Sequence, residues 1–419
     1  MSAASVDELV RAAAEAPVAA YGMTPPFAAM VAARLAGDGP LVVLTPDEAG
    51  ARQMAADLEF FLPAARADDV VAVPAIDTSA YAELSPDRRA LMQRMAALFR
   101  LTHGGDAARA LVVLSVRSLV RKTIAPAELD ALTDVLVVDQ DIDRDAVIDL
   151  LVRAGYARAP IVEDPGTFAV RGGVLDIFPP LYAYPARIEL FGDAVETMRS
   201  FDPATQRAMR DVAELFLHPV RETVRTRGAD PRARILEAAD AAAHPSAQTR
   251  RILESVDAGE EFVGIETLTP AFHRAMAPVL DYLPAGARWL ILDPDAVRQA
   301  ACDLDELAAA RYRERIDDHR LAFEPREFYV APDELDTALA AIPRRVEARA
   351  VEVVGDGLPG LRLDVDSNQA IRGELERARR QQADELMRPL VDAIERWRGA
   401  RPPAGVRCCA GARRRCRPR

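Results

Sequence analysis

Short apolar runs alternate with amphipathic segments over roughly the first 130 residues of the chain. Three runs of mostly branched apolar residues predict buried strands, at 41–44, 70–73 and 111–114. Between the first two runs, Met54, Leu58 and Phe61 recur at intervals of four and three, which places them on one face of a helix. Strands and helices that alternate in this way form parallel sheets with helices on both faces. The pattern therefore predicts an α/β domain here.

A second amphipathic helix is predicted from the stretch SPDRRALMQRMAALFRL. Ser85 can cap its N-terminus, and Pro86 suits the first helical position. Leu91, Met95 and Leu98 then share one face. Much of the segment between the second and third strands is therefore expected to be helical.

The pattern changes near residue 133. A predicted strand at 135–138 and a helix at 144–155 lead into a stretch dense in turn signals, among them Gly172-Gly173 and Gly192-Asp193. Short runs rich in Val, Ile, Phe and Leu lie between these turns, which is typical of hairpins. This stretch predicts a mostly antiparallel α+β domain inserted into the chain.

Helical patterns return after about residue 220. Helices are predicted for the stretches ARILEAADAAA and QTRRILESV and at about 295–314 and 333–341. Strands are predicted for WLILD and REFYVA, and one charged helix at 370–398. The strand and helix alternation therefore resumes after the inserted domain.

Composition and charge narrow the class of protein. With 50% hydrophobic and 28% charged residues, the 419-residue chain has ordinary globular composition. It has no apolar run of about eighteen residues, as a membrane helix needs, and its N-terminus lacks the apolar core of a signal peptide. Cys302 is the only cysteine before residue 401, too few for a disulfide framework or a zinc site. A cytoplasmic location is expected.

The last stretch, RPPAGVRCCAGARRRCRPR at 401–419, differs from the rest of the chain. It holds seven Arg and no acid, whereas the first 400 residues carry a net charge of −19. A basic tail could bind nucleic acid, although so acidic a body is a poor non-specific binder of DNA. The tail uses only residues with GC-rich codons and directly follows an uncapped amphipathic pattern. We therefore expect that it reflects a reading-frame shift or premature end.

The stretch GMTPPFAA at 22–29 has the layout of a nucleotide-binding loop, because Gly22 and Thr24 precede a helical pattern. A phosphate loop needs a Lys for the β- and γ-phosphates, followed by a Ser or Thr for Mg²⁺. Ala28 and Ala29 occupy those two positions. The two prolines after Thr24 also lack the N–H groups that would cradle a phosphate. We therefore predict an inactive, degenerate site.

Asp293 ends the predicted strand WLILD, where nucleotide-hydrolysing enzymes carry a Mg²⁺-binding carboxylate. Pro294 follows where a catalytic Glu would be expected, and an Asp in this position more often caps a helix. The five His residues show no paired spacing, and no HExxH, GxSxG or CxxC pair occurs. No catalytic residue, metal ion or cofactor is therefore predicted.

The hairpin region carries a specific family resemblance. GTFAVRGGVLDIFPP, followed by ARIELFGDAVETMRSFDPATQRA, resembles domain 2 of the nucleotide-excision repair protein UvrB. It is more similar still to the matching domain of the bacterial transcription-repair coupling factor (Mfd) family. DTSAYAELSPDRR and VVLSVRSLVRK resemble segments of that family's first domain. The resemblance runs from about residue 5 to 398.

Two departures separate the chain from UvrB. UvrB has an intact phosphate loop, and it carries a Tyr-rich β-hairpin that clamps DNA. Here IDTSAYAEL leads directly into the helix predicted from Ser85, which leaves no room for such a hairpin. Both departures match the family's N-terminal module, which the resemblance implies is a scaffold without ATPase activity.

The resemblance also implies which residues bind a partner. In the family, domain 2 recruits UvrA, and two Arg and one Phe of the motif carry much of the contact. By motif position these residues are Arg171, Arg187 and Phe191. An exposed aromatic beside Arg side chains has the composition of an interface hot spot.

A structural role is the alternative for two of these residues. Arg187 could pair with Glu189 or Glu196, and Phe191 could belong to the core of the sheet. Strand alternation places Ile188 on one face, and Arg187, Glu189 and Phe191 on the other. An aromatic side chain on the charged face favours the binding role.

The resemblance implies an adaptor that recruits UvrA and links stalled RNA polymerase to excision repair. The fold expected is a parallel-sheet, degenerate helicase-like (P-loop-type) α/β domain in two segments, with an inserted, mostly antiparallel α+β domain. Its expected parts are 1–132 and 220–365 for the α/β domain, 133–219 for the UvrA-binding domain, 366–400 for a helical connector and 401–419 for the tail.

Full-length members of the family are ATP-dependent DNA translocases. The resemblance implies that contacts with RNA polymerase and DNA are made by domains absent from this chain. The alternative function is that of a UvrB-like, ATP-dependent protein that recognises DNA damage and separates strands.

Overall fold

The computed structural model of the chain describes residues 5–37, 39–103, 107–350, 357–363, 369–380 and 386–399. The expectation for the Arg/Cys tail at 401–419 lies outside the described residues. No helix within these ranges is long and apolar enough to cross a membrane.

Strands and helices alternate over most of the described chain. The strands are β1 (Val18–Tyr21), β2 (Leu41–Thr45), β3 (Val70–Val73), β4 (Leu111–Ser115), β5 (Asp134–Val137), β6 (Ala157–Arg158), β7 (Thr167–Arg171), β8 (Val174–Ile177), β9 (Ala186–Phe191), β10 (Ala194–Phe201), β11 (Ala208–Asp211), β12 (Glu214–Leu217), β13 (Arg288–Leu292), β14 (Arg345–Arg349) and β15 (Gly360–Arg362). The helices are α1 (Val6–Glu15), α2 (Pro25–Ala36), α3 (Glu48–Phe61), α4 (Arg88–His103), α5 (Val116–Val120), α6 (Pro126–Asp130), α7 (Arg144–Arg153), α8 (Pro231–Ala241), α9 (Ser246–Asp257), α10 (Pro294–Asp317), α11 (Pro325–Phe328), α12 (Pro332–Ala340), α13 (Gln369–Arg380) and α14 (Arg388–Gly399).

The larger of the sheets is parallel and has seven strands, in the order β15-β1-β14-β13-β2-β4-β3. Residues of β2 and β4 are all buried, because helices cover both faces of the sheet. Helices α1 to α3 pack on one face around Val43, and α4, α5, α10 and α12 on the other around Val42. The prediction of an α/β fold with a parallel sheet is confirmed.

A separate six-stranded sheet has the order β11-β10-β9-β8-β7-β6. Its pairs are antiparallel except β6 with β7. One face packs against α7, where Leu151 joins Phe168, Leu175 and Ile188 in one buried cluster. The predicted, mostly antiparallel sheet is therefore also confirmed, and its opposite face carries the candidate site.

The predicted cap of the second helix is wrong. Helix α4 begins at Arg88, after Asp87, rather than at Pro86. The Asp87 carboxylate accepts from the amide of Ala90 at 2.9 Å, and its carbonyl accepts from the amide of Leu91. A negatively charged cap is also favoured by the helix dipole, so Asp87 displaces Ser85 from that role.

The strand predicted for REFYVA is also wrong. Pro325 starts the short helix α11, since its fixed φ suits a first helical turn, and Phe328 is then buried against neighbouring helices. Within the described residues, the one β-type contact of this stretch is an isolated antiparallel bridge between Tyr329 and Arg121.

The strand that completes the sheet beside β13 is β14, which the sequence pattern did not indicate because charged residues alternate along it. Its Glu347 is buried, and the guanidinium groups of Arg345 and Arg349 neutralise it at 2.9 and 2.7 Å. The edge strand β15 and its neighbour β1 were missed as well, because both are short and β1 is rich in Ala.

The single charged helix predicted for 370–398 is in fact two helices, α13 and α14. Leu386 and Met387 form a turn immediately before α14. Pro389 explains the break, because it lacks an amide hydrogen and its ring would clash with the preceding turn of a continuous helix. Helices α13 and α14 pack against each other.

Candidate partner-binding site

Two tight hairpins set the position of the candidate binding residues. In the first, Arg171 pairs with Val174 around Gly172 and Gly173. Gly172 has φ +59°, a conformation that favours glycine in a two-residue hairpin turn. Arg171 is therefore the last residue of β7, next to the hairpin turn.

The second hairpin pairs Phe191 with Ala194 around Gly192 and Asp193, and Gly192 has φ +65°. Its first strand, β9, is separated from β7 only by β8. Arg171 is in register with Glu189 through Val174, so Phe191 lies two residues further along β9. With strands about 4.8 Å apart and about 3.4 Å per residue, the backbones of Arg171 and Phe191 lie roughly 12 Å apart at one end of the sheet.

Alternation along β9 separates a core face from an open face. Ile188 is fully buried against α7, whereas Phe191 is 79% exposed. Arg187 lies on the same face as Phe191, as the sequence pattern predicted. Phe191 is therefore not a core residue, and the structural alternative for it is wrong.

A buried carboxylate lies beneath the two arginines. The Asp176 side chain is fully buried, and it faces Arg187 across the β8–β9 pair. Arg187 donates to it twice, from Nε to Oδ1 at 2.7 Å and from Nη2 to Oδ2 at 2.9 Å. Nη2 of Arg171 donates to Oδ2 of the same carboxylate. One buried Asp therefore holds both arginines from neighbouring strands.

Arg187 is fixed by further contacts. Its guanidinium lies over the ring of Phe201 at 4.8 Å from the centroid, and its Nη2 donates to Gln206 at 3.4 Å. The hydrogen bonds to Asp176 raise the pKa of Arg187 above its ordinary value. The side chain of Arg187 is 26% exposed and that of Arg171 is 49% exposed. Arg187 is thus the more enclosed cation of the two.

The alternative pairing of Arg187 with Glu189 or Glu196 is also wrong. Glu189 accepts a hydrogen bond from the hydroxyl of Thr197 at 3.0 Å, and Arg187 binds Asp176 instead. Arg187 therefore does have a structural pairing, but with a residue that the sequence pattern did not single out.

Asp176 is the residue of this site that the sequence pattern did not reveal. It lies in the apolar run of β8, two residues beyond the hairpin that carries Arg171. A lone carboxylate in a half-buried strand, five residues from an Arg across a tight turn, is the signal that would have indicated it.

The face as a whole combines cations with an exposed ring. Arg171, Arg187 and Asp176 together carry a net positive charge. Within the described residues Arg171 donates only from Nη2, and its side chain is half exposed, so its Nε and Nη1 groups remain available to an external acceptor. An exposed aromatic on the same sheet face as two fixed guanidinium groups suits recognition of a protein surface rather than catalysis.

The stretch with a nucleotide-loop layout lies at the end of β1. Gly22 has φ +86°, and a Cβ there would lie 2.6 Å from the carbonyl oxygen of Leu363. The loop is therefore packed against the chain near β15. Thr24 occupies the cap position of α2, but its side chain makes no capping hydrogen bond.

Ala28 and Ala29 belong to the core. They are 1% and 0% exposed and pack in the cluster beneath the sheet, so a Lys at position 28 would have to be buried there. Pro25 and Pro26 form the first turn of α2 and contribute no amide hydrogens. These residues supply none of the ligands that a phosphate group requires.

Asp293 caps helix α10. Its carboxylate accepts from the amide of Ala296 at 3.1 Å, and its own backbone has φ +48°. Strand β14 lies between β13, which precedes Asp293, and β1, which precedes Gly22. Among the described residues, no group of three or more His, Cys, Asp or Glu side chains could hold a metal ion.

Comparisons with known proteins bear on this face. Residues 135–222 match the family model described as the UvrB interaction domain. The chain is 34% identical to the transcription-repair-coupling factor of Myxococcus xanthus over 90% of its own length and 32% of the relative's. It is 35% identical to that of Mycobacterium bovis over 66% of its length and 23% of the relative's. UvrABC system protein B of Thermosipho africanus is 28% identical over 45% of the chain and 29% of the relative.

The chain thus spans about a third or less of the length of these curated relatives. Arg171, Asp176, Arg187 and Phe191 all lie within the residues matched by the family model.

Proposed function

Because this chain belongs to the family of transcription-repair coupling factors, we propose that it forms a non-catalytic adaptor module that recruits UvrA. The six-stranded sheet presents Arg171, Arg187 and Phe191 to that partner. Recruitment of UvrA would link stalled RNA polymerase to nucleotide-excision repair.

The exposure of Phe191 is the observation that carries this proposal. A phenylalanine ring left 79% exposed at a hairpin tip, with two arginines on the same face, loses contact with water only when a partner covers it. Aromatic and Arg side chains are enriched among the residues that dominate interface energies.

Replacing Phe191 with alanine should weaken UvrA binding by about 2 kcal/mol, or roughly thirtyfold, because the ring is a hot-spot candidate. Stability should change little, since the ring is not packed in the core. Calorimetric titration of UvrA and urea unfolding measure the two effects.

Phe60→Ala is the matched control for Phe191→Ala. Phe60 is 37% exposed but lies on α3, beside the other sheet. Wild-type affinity of a folded Phe191→Ala variant would remove Phe191 from the proposed surface. Equal losses in the Phe60 and Phe191 variants would show that the effect is not specific to that surface.

The proposed organisation keeps the parts expected from the sequence. Residues 1–132 and 220–365 would form the degenerate helicase-like scaffold, and 133–219 the UvrA-binding domain. Residues 366–400 would form a connector, of which α13 and α14 are described. Contacts with RNA polymerase and DNA, and the translocase activity of the family, would reside in parts of the full-length protein outside this chain. We place the module in the cytoplasm.

The alternative is a UvrB-like, ATP-dependent protein that recognises DNA damage. In contrast to such a protein, this chain should bind no ATP in the presence of Mg²⁺. Ala28 and Ala29 are buried where a phosphate loop has its ligands, and Pro25 and Pro26 lack amide donors. Equilibrium dialysis with labelled ATP tests this, with intact UvrB as the positive control. Saturable binding at micromolar ATP would favour the alternative.

A further inference from the structure

Asp176 stands apart from the three proposed contact residues because no partner can reach its carboxylate. Its side chain is fully buried, yet its two oxygens receive three hydrogen bonds from Arg171 and Arg187. Charge-assisted hydrogen bonds of this kind are strong and directional. The carboxylate therefore determines where both guanidinium groups lie on the open face.

Without that carboxylate, the two guanidinium groups would repel each other. They would be neighbouring cations with no anion between them, and the side chain of Arg171 is 49% exposed, so it is free to move into water. Arg187 would keep its contacts with Phe201 and Gln206. The Arg171 side chain has no other hydrogen bond or ion pair within the described residues and would lose its fixed orientation.

We infer that Asp176 is a positioning residue for partner binding, which holds Arg171 and Arg187 in the orientation that the partner recognises. This inference rests on the proposed function. A long side chain held in place before binding loses less conformational freedom when the complex forms, so a buried anion beneath a surface arginine increases affinity without touching the partner. Asp176 thus contributes to the specificity of partner binding, as do the residues exposed on this face.

Asp176→Asn tests the inference, because asparagine keeps the size of the side chain and removes the charge. Its single carbonyl oxygen can replace only one of the two carboxylate oxygens, and its NH₂ group, which is a donor, would then face an arginine donor at the other position. We expect UvrA affinity to fall about tenfold, equivalent to about 1.4 kcal/mol. Titrations at low temperature, with the folded fraction checked by circular dichroism, keep a loss of stability from appearing as a loss of affinity.

Asp211→Asn is the matched control. Asp211 pairs with Arg199 at 3.3 Å in the same sheet, but its side chain is 90% exposed and that of Arg199 is 49% exposed. Loss of this exposed pair should leave UvrA affinity within about twofold of the wild-type value, because exposed ion pairs hold their side chains weakly.

Two double-mutant cycles separate positioning from general damage. Asp176→Asn is combined with Arg171→Ala in one cycle and with Arg187→Ala in the other. Because Asp176 acts through the arginines, its loss should reduce affinity less in each arginine variant than in the wild-type chain. Additive losses in both cycles would overturn the inference.

The outcomes also distinguish the inference from the proposed function. If Arg171→Ala and Phe191→Ala weaken UvrA binding while Asp176→Asn binds as the wild type does, only the positioning role fails. If none of these variants changes the affinity, the proposed UvrA surface itself is wrong.

Discussion

Replacing Arg94 with alanine should lower the free energy of unfolding by about 3–5 kcal/mol, because it leaves Glu222 buried without its cation. The two side chains are 1% and 5% exposed, and Nε of Arg94 lies 2.8 Å from Oε1 of Glu222. Thr123 also donates to Glu222 at 2.8 Å, but a neutral hydroxyl does not replace a buried positive charge.

Arg94 also joins several parts of the fold. Its Nη1 donates to the hydroxyl of Ser118 at 2.7 Å and to the carbonyl of Pro74 at 3.1 Å, and its Nη2 to the carbonyl of Arg121 at 3.2 Å. Its loss would remove these three hydrogen bonds, which adds to the cost, although the Pro74 carbonyl would keep the bond that it accepts from the Ser118 hydroxyl at 3.3 Å. The Arg94–Glu222 pair thus connects α4 to the segment that follows β12.

Urea unfolding followed by far-ultraviolet circular dichroism measures the effect of Arg94→Ala. The control is Arg34→Ala, which removes a pair with Asp7 whose side chains are 62% and 71% exposed, and should cost less than about 0.5 kcal/mol. A variant with Arg94→Met and Glu222→Leu should recover part of the loss, since no lone charge remains. A loss below about 1 kcal/mol for Arg94→Ala would contradict this account.

Arg187→Ala should destabilise the fold by about 2–4 kcal/mol, whereas Arg171→Ala should cost less than about 1 kcal/mol. Removing Arg187 leaves the fully buried Asp176 with one exposed cation and uncovers the ring of Phe201. Removing Arg171 leaves both bonds from Arg187 to Asp176 in place.

Urea unfolding of the two single variants, with Arg153→Ala as control, measures this difference. Arg153 is an exposed arginine on α7, on the other side of the six-stranded sheet, and should give wild-type stability. Equal losses for Arg171→Ala and Arg187→Ala would show that Asp176 does not depend mainly on Arg187.

The buried parallel strands were predictable from the sequence because the feature that identifies them, a continuous apolar run, lies within a few neighbouring residues. In a sheet covered by helices on both faces, a strand is apolar at every position, and the residues of β2 and β4 are accordingly all buried. The alternation of β9 is equally local, because successive side chains of a strand point to opposite faces, and this alone places Phe191 on the open face.

The charged residues inside the sheets were not predictable in the same way. Glu347 in β14 and Asp176 in β8 each lie in a strand that buries them, and each is neutralised by two arginines. For Asp176 those arginines come from the two neighbouring strands, so the pairing depends on sheet register. The pattern of apolar and polar residues along the sequence shows only that such residues are polar, and it does not show that arginines neutralise them. For this reason the pattern did not predict β14 or indicate that Asp176 is important.

Titration of UvrA into this chain and into an Arg171→Ala/Phe191→Ala variant tests the central claim most directly. The wild-type chain should bind UvrA saturably, and the folded double variant should bind at least thirtyfold more weakly, on the order expected for the loss of one or more hot-spot residues. Absence of binding by the wild-type chain, or equal affinity of the two chains, would contradict the claim that this sheet face recruits UvrA.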